Sequence, residues 1–344
     1  MIQFQNDYNE GCHPLILRRL VETNWEQTCG YGEDAWCEKA RELVRKVCDA
    51  PDAEVHFLVG GTQTNATVIS SVLRPYQGVL CAETGHINVH ETGAIEHGGH
   101  KVLALSAVDG KITARQVADA IDGHYSDANH EHMVQPGLVY LSFSTELGTI
   151  YSLRELTAIS EVCHSRAVPL FIDGARLGYG LTCSACDVTL PDIARLADIF
   201  YIGGTKQGAL FGEAVVITDK ALGIDFRYCI KQGGGMLAKG RLLGIQFATL
   251  LENNLYFDIA AHANRMAERI RRAFVTKGIR FLVDSPTNQQ FPILTEQQHA
   301  LLSREFLSDW WCRVDANHAA VRFCTSWATR EENVERLCAV INAL

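Results

Sequence analysis

Seven short, almost wholly apolar runs recur through the first two-thirds of the chain, set apart by turn residues and by stretches of helical periodicity. They predict strands over Val55–Val59, Gly78–Cys81, Val102–Leu105, Leu138–Leu141, Pro169–Ile172, Ile199–Ile202 and Ala214–Ile217. None alternates apolar with polar residues as a strand with one wet face does, so both faces are expected to be covered. Residues 153–167 exemplify the intervening helices, with Leu153, Leu156, Ile159, Ser160 and Cys163 on one face. Strand and helix in turn predict an α/β layered fold with a mostly parallel central sheet.

The pattern changes after residue 246. Residues 247–273 read as one or two long amphipathic helices, followed by short apolar runs at 279–283 and 320–323. A closing helix is expected over 331–344, capped by Thr329, with Glu331 and Glu332 placed where a helix dipole favours negative charge. We therefore expect an N-terminal arm and large α/β domain over 1–246, and a smaller C-terminal α+β domain over 247–344. The apolar fraction of 47% in 344 residues is enough for two cores and excludes a mostly disordered chain.

Several function classes drop out. A net charge of -9 without a basic patch argues against nucleic acid or an anionic membrane as partner. No apolar run approaches the roughly 20 residues of a membrane span, and the first residues lack a basic start followed by an apolar stretch. A cytoplasmic protein is expected, its twelve scattered cysteines free thiols. Cys183 and Cys186 form a C-x-x-C without a second pair, and the histidine-rich 124–132 segment reads as a solvated loop or helix end. No metal is expected.

Three segments carry chemistry. Gly60-Gly61-Thr62 follows a strand and precedes a helical run, so unpaired backbone N–H groups and a hydroxyl can meet a phosphate there. It is neither G-x-G-x-x-G nor a P-loop, and a plain glycine-rich turn has the same composition. Asp173 ends a strand, where open α/β sheets bind ligands; it can instead cap the next helix, with Arg176 as an ion-pair partner. Lys206 lies among small residues in Gly203-Gly204-Thr205-Lys206-Gln207-Gly208, which suits a desolvated amine that attacks carbonyls. A phosphate cradle, a strand-end carboxylate and such a lysine are together the parts of a pyridoxal 5′-phosphate site. The rival from another class is a nucleotide-binding regulatory protein that uses only the glycine turn.

At these residues the chain resembles the threonine aldolase and aromatic amino acid β-eliminating lyase family of fold-type-I pyridoxal-phosphate enzymes. The matching pieces are Tyr31-Gly32-Glu33-Asp34, Gly61-Thr62-Gln63-Thr64-Asn65, His86 with His90-Glu91-Thr92-Gly93-Ala94, Asp173-Gly174-Ala175-Arg176, the lysine loop and Gly233-Gly234-Gly235-Met236. The resemblance implies that Lys206 forms the Schiff base and Asp173 meets the pyridinium nitrogen. It implies that Gly60, Gly61, Thr62 and Thr205 hold the phosphate, and that His86 stacks on the ring and serves as a base. Arg176 and Arg322 would bind the substrate carboxylate, with Asn6 nearby. Tyr31 and Lys239 would reach the site from a neighbouring subunit, which implies a homo-oligomer, a dimer of dimers.

Three departures bear on the substrate. The family's usual Leu-Ser-Lys-Gly loop is Gly204-Thr205-Lys206-Gln207-Gly208 here. Leu237 stands where a basic residue is usual. Ser144-Thr145-Glu146-Leu147-Gly148 replaces an Asn-Thr-His-Asn stretch, which puts Glu146 forward as a second candidate base. The expected reaction is carbon–carbon cleavage of a β-hydroxy-α-amino acid, such as threonine, allo-threonine or a phenylserine-like compound, to glycine and an aldehyde. β-Elimination, racemisation and transamination on the same site are the alternatives.

Overall fold

The computed structural model covers residues 1–344. All seven expected strands form: β1 (Glu54–Leu58), β2 (Gln77–Ala82), β3 (Lys101–Leu105), β4 (Gln135–Ser142), β5 (Leu170–Asp173), β6 (Ile199–Gly203) and β7 (Glu213–Ile217). They make one sheet in the order β1-β7-β6-β5-β4-β2-β3. Only β7 runs antiparallel to its neighbours. Consecutive residues along each strand feed two different cores. Val139, Leu141, Ile172, Phe200 and Ile202 enter one; Leu138, Tyr140, Phe171, Ile199 and Tyr201 enter the other, beneath the helix Gly61–Val72. This double burial, at roughly 1.5–3 kcal/mol per large side chain, is why the strands carry no polar alternation.

A third core gathers Met266, Ile270 and Phe274 of the helix Leu255–Thr276, Leu294, Leu302, Val321 and Phe323, and Val334, Leu337 and Ile341 of the helix Glu331–Asn342. Its sheet is antiparallel, with His318–Cys324 between Ile293–Thr295 and Asp309–Arg313 and also paired to Gln289–Gln290. Position 246 lies inside the helix Arg241–Leu251, and Phe247, Leu250, Tyr256 and Ile259 join the larger core. Thr329 does not cap the closing helix; its hydroxyl accepts from the Ser326 N–H at 2.7 Å, and Arg330 takes the cap position without a side-chain bond.

The amino-terminal arm ties the two parts together. Ile2–Gln3 pairs in parallel with Phe306–Leu307, and Phe4 is buried in the third core. Asp7 then reaches the large sheet. No helix is long and apolar enough to cross a membrane.

Candidate active site

Because the first six strands run the same way, their carboxyl ends share one edge of the sheet, and β7, running against them, brings its first residue to that edge. The loops leaving β1, β2, β4, β5 and β6 enclose a cavity of about 540 Å³, lined also by Asp309, Trp311 and Arg322 of the antiparallel sheet. Gly61, Thr62, His86, Glu146, Asp173, Arg176, Thr205 and Lys206 all border it.

The exits of β5 and β6 are in direct contact. The Gly203 N–H donates to the Gly174 carbonyl at 2.9 Å, and a Cβ at Gly203 would stand 2.6 Å from the Ala175 carbonyl. Only glycine allows this approach, which sets Asp173 and Lys206 on the same cavity. Asp173 accepts from Tyr140 Oη at 2.6 Å, Asn65 Nδ2 at 3.0 Å and its own loop's Ala175 N–H at 2.9 Å. Burial works to raise its pKa, but the His86 charge and these donors outweigh it and leave it below the usual carboxylate range. It is therefore a fixed anion. It neither caps the helix Leu177–Leu181, whose cap position is Arg176, nor pairs with Arg176.

Lys206 joins no ion pair. Burial and the neighbouring Arg176 charge push its pKa down, which favours the neutral, nucleophilic amine. The cradle is the first turn of the helix Gly61–Val72, so the N–H groups of Gly61, Thr62 and Gln63 have no acceptor within the chain. Gly60 precedes that helix in extended conformation and does not border the cavity. The Thr205 hydroxyl is already engaged: it donates to Glu213 at 2.9 Å and accepts from the Gly212 N–H at 3.0 Å.

His86 Nδ1 lies 2.7 Å from Glu91 Oε1, which also accepts from Asn65 Nδ2 at 2.8 Å. Glu91 thus fixes the imidazole and links it to the Asp173 network. Glu146 Oε1 accepts from the His86 backbone N–H at 2.9 Å and from Ser142 Oγ at 2.6 Å, and burial raises its pKa in spite of the Ser142 bond.

The two arginines differ. Arg176 is spent on Asp7, with Nε–Oδ2 at 2.8 Å and Nη2–Oδ1 at 3.1 Å. Arg322 sits 5.5 Å over the Trp311 ring and donates to Asp309, Gln289 and the Gln5 carbonyl, while its buried Nε has no partner. Asn6 does not border the cavity; its side chain accepts from the Tyr8 N–H, and Tyr8 takes the bordering position. Tyr31 and Lys239 are exposed and also lie outside it, Tyr31 beneath the Lys231 ammonium at 4.7 Å. The buried acids Asp7, Glu91 and Glu213 are not singled out by the sequence, and of the three only Glu213, which opens an apolar run, leaves a trace in it.

Parallel strands with a lysine, a buried aspartate and an open helix start at their carboxyl ends define a fold-type-I pyridoxal-phosphate architecture. The beta-eliminating lyase family model matches residues 16–297, and the chain belongs to that family. Its relatives include the low specificity L-threonine aldolases of Pseudomonas sp. and Pseudomonas aeruginosa. Each is 30% identical, over 99% and 97% of this chain and 97% and 95% of the relative's length. The structure of a Leishmania major threonine aldolase superposes with a TM-score of 0.97 at 44% identity, covering 100% of this chain and 99% of that one. Aspartate aminotransferase from Thermus thermophilus, at 12% identity and a TM-score of 0.72, shares the fold alone.

Proposed function

We propose that this chain uses pyridoxal 5′-phosphate to cleave a β-hydroxy-α-amino acid of the threonine, allo-threonine or phenylserine type into glycine and an aldehyde. The observation that carries the reading is the cavity itself, where an unpaired lysine, a fixed buried anion and an acceptor-free helix start face one another. These groups fit the cofactor's three anchoring points. Lys206 would take its aldehyde, Asp173 its ring nitrogen, and the N–H groups of Gly61, Thr62 and Gln63 with the Thr62 hydroxyl its phosphate. When bound, the cofactor supplies an electron-withdrawing ring conjugated to the substrate's α-carbon.

The remaining steps belong to protein groups. Arg322 orients the substrate carboxylate through its planar guanidinium, held in place by Asp309 and Trp311. Arg176, paired with Asp7, holds the amino-terminal arm against the loop that leaves β5. His86, its Nδ1 fixed by Glu91, offers Nε2 to the ring face or to a proton. Glu146 takes the β-hydroxyl proton as the aldehyde leaves, and burial, by raising its pKa, strengthens it as a base. Orientation of the scissile bond by such contacts is worth roughly 7–11 kcal/mol in favourable cases. We read Tyr31 and Lys239 as groups that meet a neighbouring copy in a homo-oligomer, in keeping with their exposure.

The test is to add pyridoxal 5′-phosphate to the purified chain, follow its visible absorption, and identify the products from a panel of β-hydroxy amino acids. Glycine and aldehyde are expected; pyruvate and ammonia would assign β-elimination instead. Lys206→Ala should lose the protein-bound absorption band and at least about a thousandfold in turnover. Cleavage by that variant at near wild-type rate would overturn the assignment.

A further inference from the structure

The first residue of β7 is a buried carboxylate that no step above uses. Glu213 is 2% exposed and opens an otherwise apolar strand. Strand register sets it opposite Leu58, the end of β1, on one side and opposite Gly203, the end of β6, on the other. From Leu58 the chain runs into the helix start at Gly61; from Gly203 it runs into Lys206. Glu213 therefore stands between the phosphate cradle and the lysine loop, and it borders the same cavity as both.

Its partners come from the lysine loop. Oε2 accepts from the Gly204 N–H at 3.1 Å, and Oε1 accepts from Thr205 Oγ1 at 2.9 Å. The charged and titratable groups that face it are the Lys206 amine, the Asp173 carboxylate and the hydroxyls of Tyr201 and Tyr256. Leu243 and Phe247, packed against this turn from the helix Arg241–Leu251, bring no charge. Burial pushes the Glu213 carboxyl up to about 8, against the pull of Thr205, Gly204 and Lys206. A phosphate ester at the helix start carries close to two negative charges at neutral pH. An ionised carboxylate bordering the same cavity would oppose that charge.

We propose that a phosphate group binds at Gly61–Gln63 only while Glu213 is protonated, so that anion and proton enter the site together. This rests on the cofactor reading above. Above the carboxyl's ionisation pH the proton comes from solvent onto a Glu213 oxygen, and no other bond changes. Glu213 acts as a positioning residue: it sets the charge of the cradle and, through Thr205, the shape of the lysine loop.

The experiment is calorimetric titration of the full-length chain, freed of cofactor, with inorganic phosphate and separately with pyridoxal 5′-phosphate. Buffers of low and high ionisation heat count the protons. At pH 9 the wild type should take up about 0.9 proton per phosphate bound, and its Kd should rise about tenfold between pH 9 and pH 10. Glu213→Gln keeps the acceptor for Gly204 and mimics the neutral acid, so it should bind like the wild type at pH 7 and show neither effect. Equal proton uptake in both proteins, or loss of binding by Glu213→Gln at pH 7, would overturn the proposal. So would a wild type that takes up no proton at pH 9, a measurement that needs no variant. Failure of the wild type to bind either compound at pH 7 would instead sink the cofactor reading.

Discussion

Substituting Asp7 by Asn tests the buried pair that joins the amino-terminal arm to the large sheet. Asp7 is fully buried, forked onto the Arg176 guanidinium, and also accepts from Asn288 Nδ2 at 3.0 Å. The amide keeps the shape but replaces one acceptor with a donor that faces other donors, and it leaves Arg176 as an uncompensated buried cation. Breaking such a pair from one side costs about 3–5 kcal/mol. With an unfolding entropy of about 2.1 cal/mol/K per residue, that is a fall in Tm of about 4–7 °C for a chain of this size. The pH dependence follows from the carboxyl itself. Burial opposes ionisation, but Arg176, Lys206 and the bonds from Arg176 and Asn288 hold the Asp7 pKa at about 2, below its ordinary 3.8. The pair's contribution is therefore complete well above pH 3.8 and is lost as pH falls through 2. About half of that electrostatic part is gone at pH 3. Differential scanning calorimetry of the wild type, Asp7→Asn, Arg176→Met and the double variant at pH 7 and pH 3 measures both effects. The double variant should recover part of the loss. A Tm within 1 °C of the wild type at pH 7, or a gap as wide at pH 3 as at pH 7, would refute the reasoning.

Two further substitutions separate binding from chemistry. Glu146→Gln should lower kcat by about 10²–10⁴-fold with little change in KM if the carboxylate takes the β-hydroxyl proton; an unchanged kcat returns that role to His86. Arg322→Ala should raise KM for the amino acid at least tenfold while pyridoxal 5′-phosphate binding, followed by absorbance, stays as in the wild type; loss of cofactor binding would count against its role toward the carboxylate.

What the sequence disclosed follows from how local each signal is. The seven strands were legible because burial on both faces forces unbroken apolar runs, and the strand-end positions of Asp173 and Lys206 follow from where those runs stop. Asp7 was not legible: its meaning lies in Arg176 and Asn288, which no periodicity of the arm predicts. The same lack of long-range information hid the pairing of Arg176 with Asp7; spacing offers it to Asp173, and the resemblance offers it to a substrate carboxylate. Glu91 sat inside a motif but gained a role only when the chain brought Asn65 and His86 to it. Glu213 did leave a trace, a single acid ahead of Ala214-Val215-Val216-Ile217, yet only the register of β7 between β1 and β6 gives that trace a purpose. Thr329 failed as a cap because its hydroxyl closes a local turn instead, a choice decided within four residues and invisible to composition.

The arm that pairs Ile2–Gln3 with Phe306–Leu307 also imposes an order of events on biosynthesis. Ile2 and Gln3 are translated well before their strand partner, which follows some 300 positions later. At about 5–20 residues per second, they wait roughly 15–60 s for it. The large sheet can collapse during that interval, but its cavity lacks Asp309, Trp311 and Arg322 until those residues are made. The cavity is thus completed only once residues 306–322 have been made, when a segment translated long before them docks.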